Sequence, residues 1–234
     1  VSTKTNKEAL PKVFISRLLQ ADSPFQALVA SAEWEVKAQS LLVFEPVAFA
    51  HLPPTDWLFF YSRRGVQFFA AQIGAPLPPL RLAAMGTGTA QALEQQGWQP
   101  AFIGAGSPAA VARAFAGQAT GQRVVFVQAQ NSRQSVQQHL GSLIQSQNLV
   151  VYQNRPLTTV HLQPADYLIF TSPLNFETYC QLNPYKPEQR FIAIGATTAL
   201  AFRAAGIKQY QVATAPTEEA LLACLLAWHQ EKTT

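Results

Sequence analysis

Short apolar runs alternate along this chain with amphipathic stretches of helical period, and several of the runs stop on Ser, Thr or Gly. The stretch Asp166-Tyr-Leu-Ile-Phe-Thr-Ser172, followed by Pro173 and a helical pattern, reads as a buried strand turning into a helix. Phe191-Ile-Ala-Ile-Gly195-Ala-Thr-Thr198-Ala199, closing on Gly206, repeats the move. At such strand ends the backbone amides and hydroxyls face outward over a helix N-terminus, where orphan N–H groups and the macrodipole favour an anion.

The same pattern extends through the chain. Residues 13–15 predict a short strand ending at Ser16-Arg17, and Ser23-Pro24-Phe25-Gln26 predicts a helix with an N-cap, Pro at the first position and a capping-box Gln. Residues 34–38 and 42–50 read as extended and lead into His51-Leu-Pro53-Pro54, a connector without helical period. Strands are predicted over 57–61, 81–85, 101–103 and 123–127, with helices over 64–72, 87–96, from a Ser107 cap, and over 132–144. Residues 148–155 and 157–162 are extended, and the final strand-helix pairs end with a strand over 210–213 and an acid-fronted helix over 217–230. Strands alternating with helices imply an α/β fold with parallel sheets and right-handed crossovers, binding ligands over the strands' carboxyl ends.

Two halves of this pattern match each other. Asp56-Trp-Leu-Phe-Phe-Tyr-Ser62 aligns with Asp166–Ser172 at an offset of 110, and Leu82-Ala-Ala-Met-Gly86-Thr-Gly-Thr89-Ala90 aligns with 191–199 at 109. Gly97 falls under Gly206, Ser107 under Thr217, His51 under His161 and Pro46 under Pro156, and Val13-Phe-Ile lies over Val125-Phe-Val. A period this long marks two domain-sized copies and not a solenoid. Two organisations satisfy the repeat: tandem copies split near Gly121, or paired hinges with residues 53–148 as one lobe and both chain ends as the other.

Composition narrows the function classes. Charged residues make up 13% of the 234 and hydrophobic ones 48%, against about 25% charged in average proteins, so both faces of the sheets are expected to be covered. The net charge is +4, but the basic residues are scattered, without the stripe that marks a nucleic-acid binder. A small polyanion fits better. Cys180 and Cys224 are too few and too far apart for a disulfide framework or a Cys-based metal site, and read as buried thiols. No run reaches membrane-span length and the polar first residues carry no apolar core of a signal peptide. The expectation is a soluble, cytoplasmic monomer with a frayed start, acting on neither nucleic acid nor membrane.

Candidate chemistry follows the duplicated strand ends. Gly86-Thr87-Gly88-Thr89 sits where a dinucleotide fingerprint would, but the third small residue and the acidic ribose partner are missing, and the second copy lacks the second Gly. Ser62, Thr89, Ser172, Thr197 and Thr198 each suit a helix cap; as five hydroxyls at duplicated strand ends, they and the adjacent amides also suit several carboxylates. Gly86, Thr87 and Ser132 belong to the same ledge, and Arg17, Arg63, Arg64 and Arg133 offer charge-assisted contacts. His139 and His229 read as helix-surface residues, and His51 and His161 have no metal-ligand spacing. No metal site is expected. There is no G-x-S-x-G elbow. Tyr152, in Val150-Val-Tyr152-Gln at the second hinge, presents a phenol or an aromatic packed on an edge strand.

Taken together, these residues resemble the uroporphyrinogen-III synthase family. The resemblance runs from Val13 to Leu226 through Val-Phe-Ile-Ser-Arg17, Phe-Tyr-Ser62, Phe-Thr-Ser172-Pro, Met-Gly86-Thr-Gly-Thr89-Ala, Val-Val-Tyr152 and Ala-Ile-Gly195-Ala-Thr-Thr198-Ala. It implies two flavodoxin-like lobes joined by a two-stranded hinge ladder: residues 1–35 with 163–234 as a terminal lobe, 53–148 as a central lobe, and 36–52 with 149–162 as the ladder. It implies as substrate hydroxymethylbilane, a linear tetrapyrrole with eight carboxylates, cyclised without a cofactor by loss of water with inversion of the last ring. By the same resemblance Tyr152 assists departure of the hydroxyl, and Thr89 and Thr198 contact substrate.

The chain also departs from that family. Tyr61-Ser62-Arg63-Arg64-Gly65 stands where Thr-Ser followed by Pro or a small residue is usual, and Val127-Gln128-Ala-Gln-Asn-Ser132-Arg133 replaces an Arg- and Gly-containing segment. The rival readings are a non-catalytic two-lobed module that closes on a small anion, and a nucleotide-dependent oxidoreductase that would need the missing fingerprint. Fold alone does not choose between them.

Overall fold

The structure, a computed structural model, describes residues 10–74 and 76–233, with side chains to Glu231. The frayed start expected over the first ten residues lies, apart from Leu10, outside the described residues. In chain order, β1 (Lys12–Ile15) leads to α1 (Gln26–Ala30), β2 (Glu35–Ala38) and β3 (Leu42–Pro46). Then come β4 (Trp57–Phe60), α2 (Arg63–Ile73), β5 (Arg81–Ala84), α3 (Thr87–Gln95), β6 (Phe102–Ile103) and α4 (Pro108–Ala119). β7 (Arg123–Ala129) runs to α5 (Ser135–Leu140) and, after one 3-10 turn, to β8 (Gln145–Pro156). The chain closes with β9 (Tyr167–Phe170), α6 (Pro173–Leu182), β10 (Arg190–Ala193), α7 (Ala196–Ala204), β11 (Tyr210–Val212) and α8 (Glu218–Thr233).

The chain divides into two compact units, Val1–Val43 with Arg155–Thr234, and Phe44–Asn154. The crossings fall inside the stretches 36–52 and 149–162 read as hinges; residues 36–38 of the first stretch belong to β2, which pairs with β1. The first unit holds a five-stranded sheet in the order β2-β1-β9-β10-β11, with every pair parallel. This is the flavodoxin order 2-1-3-4-5. The second unit's sheet runs β3-β8-β7-β4-β5-β6, parallel from β8 to β6. Counted from β7, it has the same order with a circular permutation and β3 added beside β8. The order reverses between β1 and β9 in the first unit and between β7 and β4 in the second.

Each sheet is buried on both faces, which is why its strands read as continuous apolar runs. In the second unit Leu58 and Phe60 face Val66, Phe69 and Leu93 of α2 and α3, while Trp57 and Phe59 face Val111, Phe115 and Val136 of α4 and α5. In the first, Leu168 and Phe170 pack with Phe176 and Phe202, and Tyr167 and Ile169 with Leu221 and Leu225.

An aspartate clamps the start of each switch point. Asp166 accepts the N–H of Lys12 at 2.8 Å, donates its own to the Lys12 carbonyl at 2.9 Å, and accepts from Arg190 at its carbonyl at 2.9 Å. Asp56 makes the same three bonds with Arg123 and Arg81, at 2.9, 3.0 and 3.1 Å. The clamp corrects one alignment. Lys12 corresponds to Arg123, so Val13 answers to Val124 and not to Val125. The letter match Val-Phe-Ile over Val-Phe-Val is one residue out of register, and such a slip sends each side chain to the opposite face.

Two helices are shorter than their patterns. α1 begins at Gln26, whose side-chain amide donates to the Gln20 carbonyl at 2.9 Å instead of closing a capping box on Ser23. α5 starts at Ser135 and not at Ser132, because Gln134 is left-handed (φ 52°), and it stops at Gly141 (φ 50°). Residues 157–162 carry no strand.

Candidate functional site

Both switch points end in the same construction. In the second unit, Ser62 caps α2, its Oγ accepting the N–H of Gly65 at 3.0 Å. In the first, Ser172 caps α6, accepting from the Asn175 backbone at 3.2 Å and from the Asn175 side-chain amide at 3.0 Å. Asn175 was not anticipated; its Oδ1 takes the N–H of Leu41 at 2.8 Å, tying the cap to the chain beyond β2.

The neighbouring helices are capped differently. Gly86 and Gly195 precede α3 and α7 in extended conformation, and no side chain caps either helix. Thr89 and Thr198 donate their N–H groups back to the Gly86 and Gly195 carbonyls at 3.0 and 3.1 Å. The N–H groups of Thr87 and Gly88, and of Ala196 and Thr197, are the ones that helix geometry leaves without an acceptor. Thr87 and Thr197 are exposed, whereas Thr89 and Thr198 are buried. Each unit therefore presents a hydroxyl-capped helix beside one whose first amides stand bare, an arrangement suited to carboxylates.

Tyr152 lies on β8 opposite Ala129, where the ladder shifts register between Gln128 and Ala129. Its ring is buried against Phe68, stacked at 5.2 Å between centroids, and against Phe44 at 6.3 Å. Its hydroxyl lies 3.3 Å from Ser62 Oγ. β8 has neighbours on both sides, so the tyrosine is not on an edge strand. Because Ser62 Oγ already accepts from Gly65, it can donate to Tyr152 and leave the phenol proton free for another acceptor.

The cations divide unequally. Arg17 is tied to Glu218 at 3.0 Å, and the second oxygen of Glu218 accepts from Ser23 Oγ. Arg64 sits over the Phe44 ring at 3.4 Å. Arg63, the first residue of α2, lies along α3: a Cβ on Gly88 would meet its Cδ at 3.8 Å. The structure gives Arg63 no ion pair among the described residues. Its counterpart in the first unit is Pro173. Ser132 takes no part in a helix start; its Oγ accepts the N–H of Gln134 at 3.3 Å. The start of α5 is held by Tyr61, whose hydroxyl accepts from Val136 and Gln137, both at 3.2 Å, and burial pushes that phenol's pKa up.

Among the described residues no group of His, Cys, Asp and Glu could hold a metal, and no helix is long and apolar enough to cross a membrane. His229 is not a surface residue as expected: it packs on Trp34 at 4.5 Å and its Nδ1 lies 3.0 Å from the Tyr167 hydroxyl. Cys180 and Cys224 are free and half-buried, and burial, with Glu177 second, pushes the Cys180 thiol up to about 11.

Comparison with known proteins gives one family. Residues 23–223 match the family described as Uroporphyrinogen-III synthase HemD. Of solved structures, uroporphyrinogen-III synthetase from Helicobacter pylori is similar at 20% identity and a TM-score of 0.72, covering 94% of this chain and all of that one. A mutant uroporphyrinogen III synthase from Thermus thermophilus is similar at 17% identity and a TM-score of 0.57, covering 94% of this chain and 99% of that one. At these identities the likeness is one of fold. No curated protein matches.

Proposed function

The chain belongs to the uroporphyrinogen-III synthase family, and from that premise we propose that it cyclises hydroxymethylbilane to uroporphyrinogen III, as a lyase that expels water without a cofactor. It is an enzyme of tetrapyrrole synthesis. The observation that carries this reading is the span of the family match, which takes in strand ends of both duplicated copies.

In the proposed reaction the lone pair of the terminal pyrrole pushes out the hydroxyl of its hydroxymethyl arm, and the departing oxygen takes up a proton. The electrophilic carbon is then attacked by the substituted position of the last ring, giving a spiro intermediate. Reopening and reclosure invert that ring, and loss of a ring proton restores the aromatic pyrrole. Since the substrate supplies its own push, the protein's main task is to hold a flexible chain in the reactive shape. Within each unit taken by itself the seats for substrate carboxylates are the bare amides, of Thr87 and Gly88 beside the hydroxyls of Ser62 and Thr89 in one, and of Ala196 and Thr197 beside those of Ser172 and Thr198 in the other. Tyr152 gives the proton that the leaving hydroxyl takes, with Ser62 orienting the phenol from behind.

The test is a coupled assay in which hydroxymethylbilane is generated in situ, this protein is added without metal or cofactor, and the oxidised uroporphyrin isomers are separated. Type III above the spontaneous type I background is the expected result. Type I alone from folded protein would reduce the chain to a binding module with an inherited fold.

A further inference from the structure

β7 ends its buried run with a polar residue. Gln128 is 2% exposed, and its Oε1 is buried with no hydrogen-bond partner among the described residues. Such groups are rare in folded proteins, since a buried acceptor left unmade forfeits its hydration. Its position makes the lapse informative. β7 is one of the two strands flanking the second unit's switch point, the place where doubly wound sheets receive ligands.

The duplication supplies an internal control. With Lys12 matched to Arg123 by the aspartate clamps, Gln128 occupies the position that Arg17 holds in the first unit. There the side chain is satisfied within the fold, by Glu218 in the first turn of α8. The helix in the corresponding place in the second unit is α4, which opens Pro108-Ala109-Ala110 and offers no such partner. Tyr61, one residue past the end of the adjacent strand β4, has its hydroxyl oxygen occupied by two amides of α5. One copy of the switch point is closed by its own residues and the other keeps an open acceptor.

We propose that Gln128 is a substrate-binding residue whose side-chain carbonyl accepts an N–H of the ligand, a pyrrole N–H if the function proposed above holds, on which this inference rests. The rest of the ledge is rich in donors, with bare amides and hydroxyls that suit carboxylates. A tetrapyrrole also brings N–H groups, which need acceptors. A carbonyl supplies one without adding a negative charge beside the carboxylates. No hydrogen bond within the fold occupies Oε1, so a ligand N–H that reaches it displaces no existing partner.

The test replaces the amide with apolar side chains of similar length, Gln128→Met and, as a second variant, Gln128→Leu. Thermal melting is followed without substrate, and KM, kcat and the III-to-I isomer ratio are compared with wild type in the coupled assay. A buried orphan removed should leave the melting temperature unchanged or higher, while KM rises about tenfold, the worth of one good hydrogen bond to ligand, and the type I fraction grows. Unchanged KM and isomer ratio would overturn the proposal and leave the amide to a buried water. A lower melting temperature in both variants would also overturn it, because the fold itself would then be using the amide. Tryptophan quenching by added uroporphyrinogen III, kept reduced, gives a Kd for each protein independently of turnover. A wild type that binds but yields only type I would defeat the synthase reading and still leave Gln128 judged by its Kd.

Discussion

The Ser62 hydroxyl lies 3.3 Å from the Tyr152 hydroxyl while accepting the N–H of Gly65 at 3.0 Å. One serine thus caps a helix and orients a phenol. Tyr152→Phe keeps the ring stacked on Phe68 and removes the hydroxyl, and with it the proton and the contact to Ser62. General acids contribute about 10²–10⁴-fold, and a substrate that pushes out its own leaving group puts this one at the low end. The expected loss is about 100-fold in kcat with KM within about twofold, and a melting temperature close to wild type. Unchanged turnover would remove Tyr152 from the chemistry.

Arg63 makes a second prediction, in which stability and function move in opposite directions. It is the first residue of α2, followed by Arg64, and its side chain runs beside Gly88 in the first turn of α3. A cation at a helix N-terminus opposes the macrodipole at a cost of about 0.3–1 kcal/mol. Arg63→Ser should therefore stabilise the free protein by roughly that amount. Because the serine cannot reach the substrate carboxylate that the guanidinium would meet, KM should rise about two- to fivefold at low salt. The difference in KM should shrink in high salt as screening takes over. Equal KM values at low ionic strength would show that Arg63 meets solvent and not substrate.

The alternation of apolar runs and helical stretches carried the architecture, because both faces of each sheet are covered and burial writes itself into every strand. Ser62 and Ser172 were legible as caps, since an N-cap is a local event between a hydroxyl and an amide three residues on. What escaped the sequence depends on partners distant along the chain. Arg17 matched a cationic substrate contact, but Glu218, about 200 residues later, occupies its guanidinium. His229 has the period of a helix surface, yet Trp34 and Tyr167 from other elements cover part of it. Tyr61 holds the start of α5 from just past β4, far earlier in the chain, and the left-handed Gln134 keeps Ser132 out of the helix. The register of β1 against β7 was lost for a related reason: Phe14 and Phe126 match as letters, and the aspartate clamps and the core packing show that they face opposite sides of their sheets.

Gly104 follows β6, and its N–H bonds the Ala84 carbonyl at 2.8 Å. A Cβ there would stand 2.5 Å from the Met85 carbonyl oxygen and 2.8 Å from a methyl of Val111. Neither neighbour is a free side-chain end, so backbone must shift, and Gly104→Ala should destabilise by about 1–3 kcal/mol. Gly117, inside α4, has nothing within 4 Å of its would-be Cβ. Gly117→Ala should stabilise by about 0.5–1 kcal/mol through helix propensity alone. Denaturant midpoints of the two variants should fall on opposite sides of wild type; a Gly104→Ala midpoint at or above wild type would show that close approach at β6 is not what selects glycine.

The clamp at Asp56 predicts an acid limb. Arg123 donates from Nη2 to one carboxylate oxygen at 2.8 Å and from Nε and its backbone to the other at 3.2 and 2.9 Å. These bonds, the side-chain ones first, hold the Asp56 carboxyl at about 2 against an ordinary 3.8. The folded value lies below the unfolded one, so the stabilisation is complete above 3.8 and is lost as pH falls from there through about 2. Asp56→Asn keeps an oxygen for the Arg123 backbone N–H but cannot titrate. Melting curves should show wild type and variant diverging above this window and converging below it. Because the pair is exposed, 1 M salt should narrow the gap. A gap that stays constant down to pH 2 would mean that the difference between the two proteins does not come from the ionised carboxylate, and that Arg123 holds nothing that protonation releases.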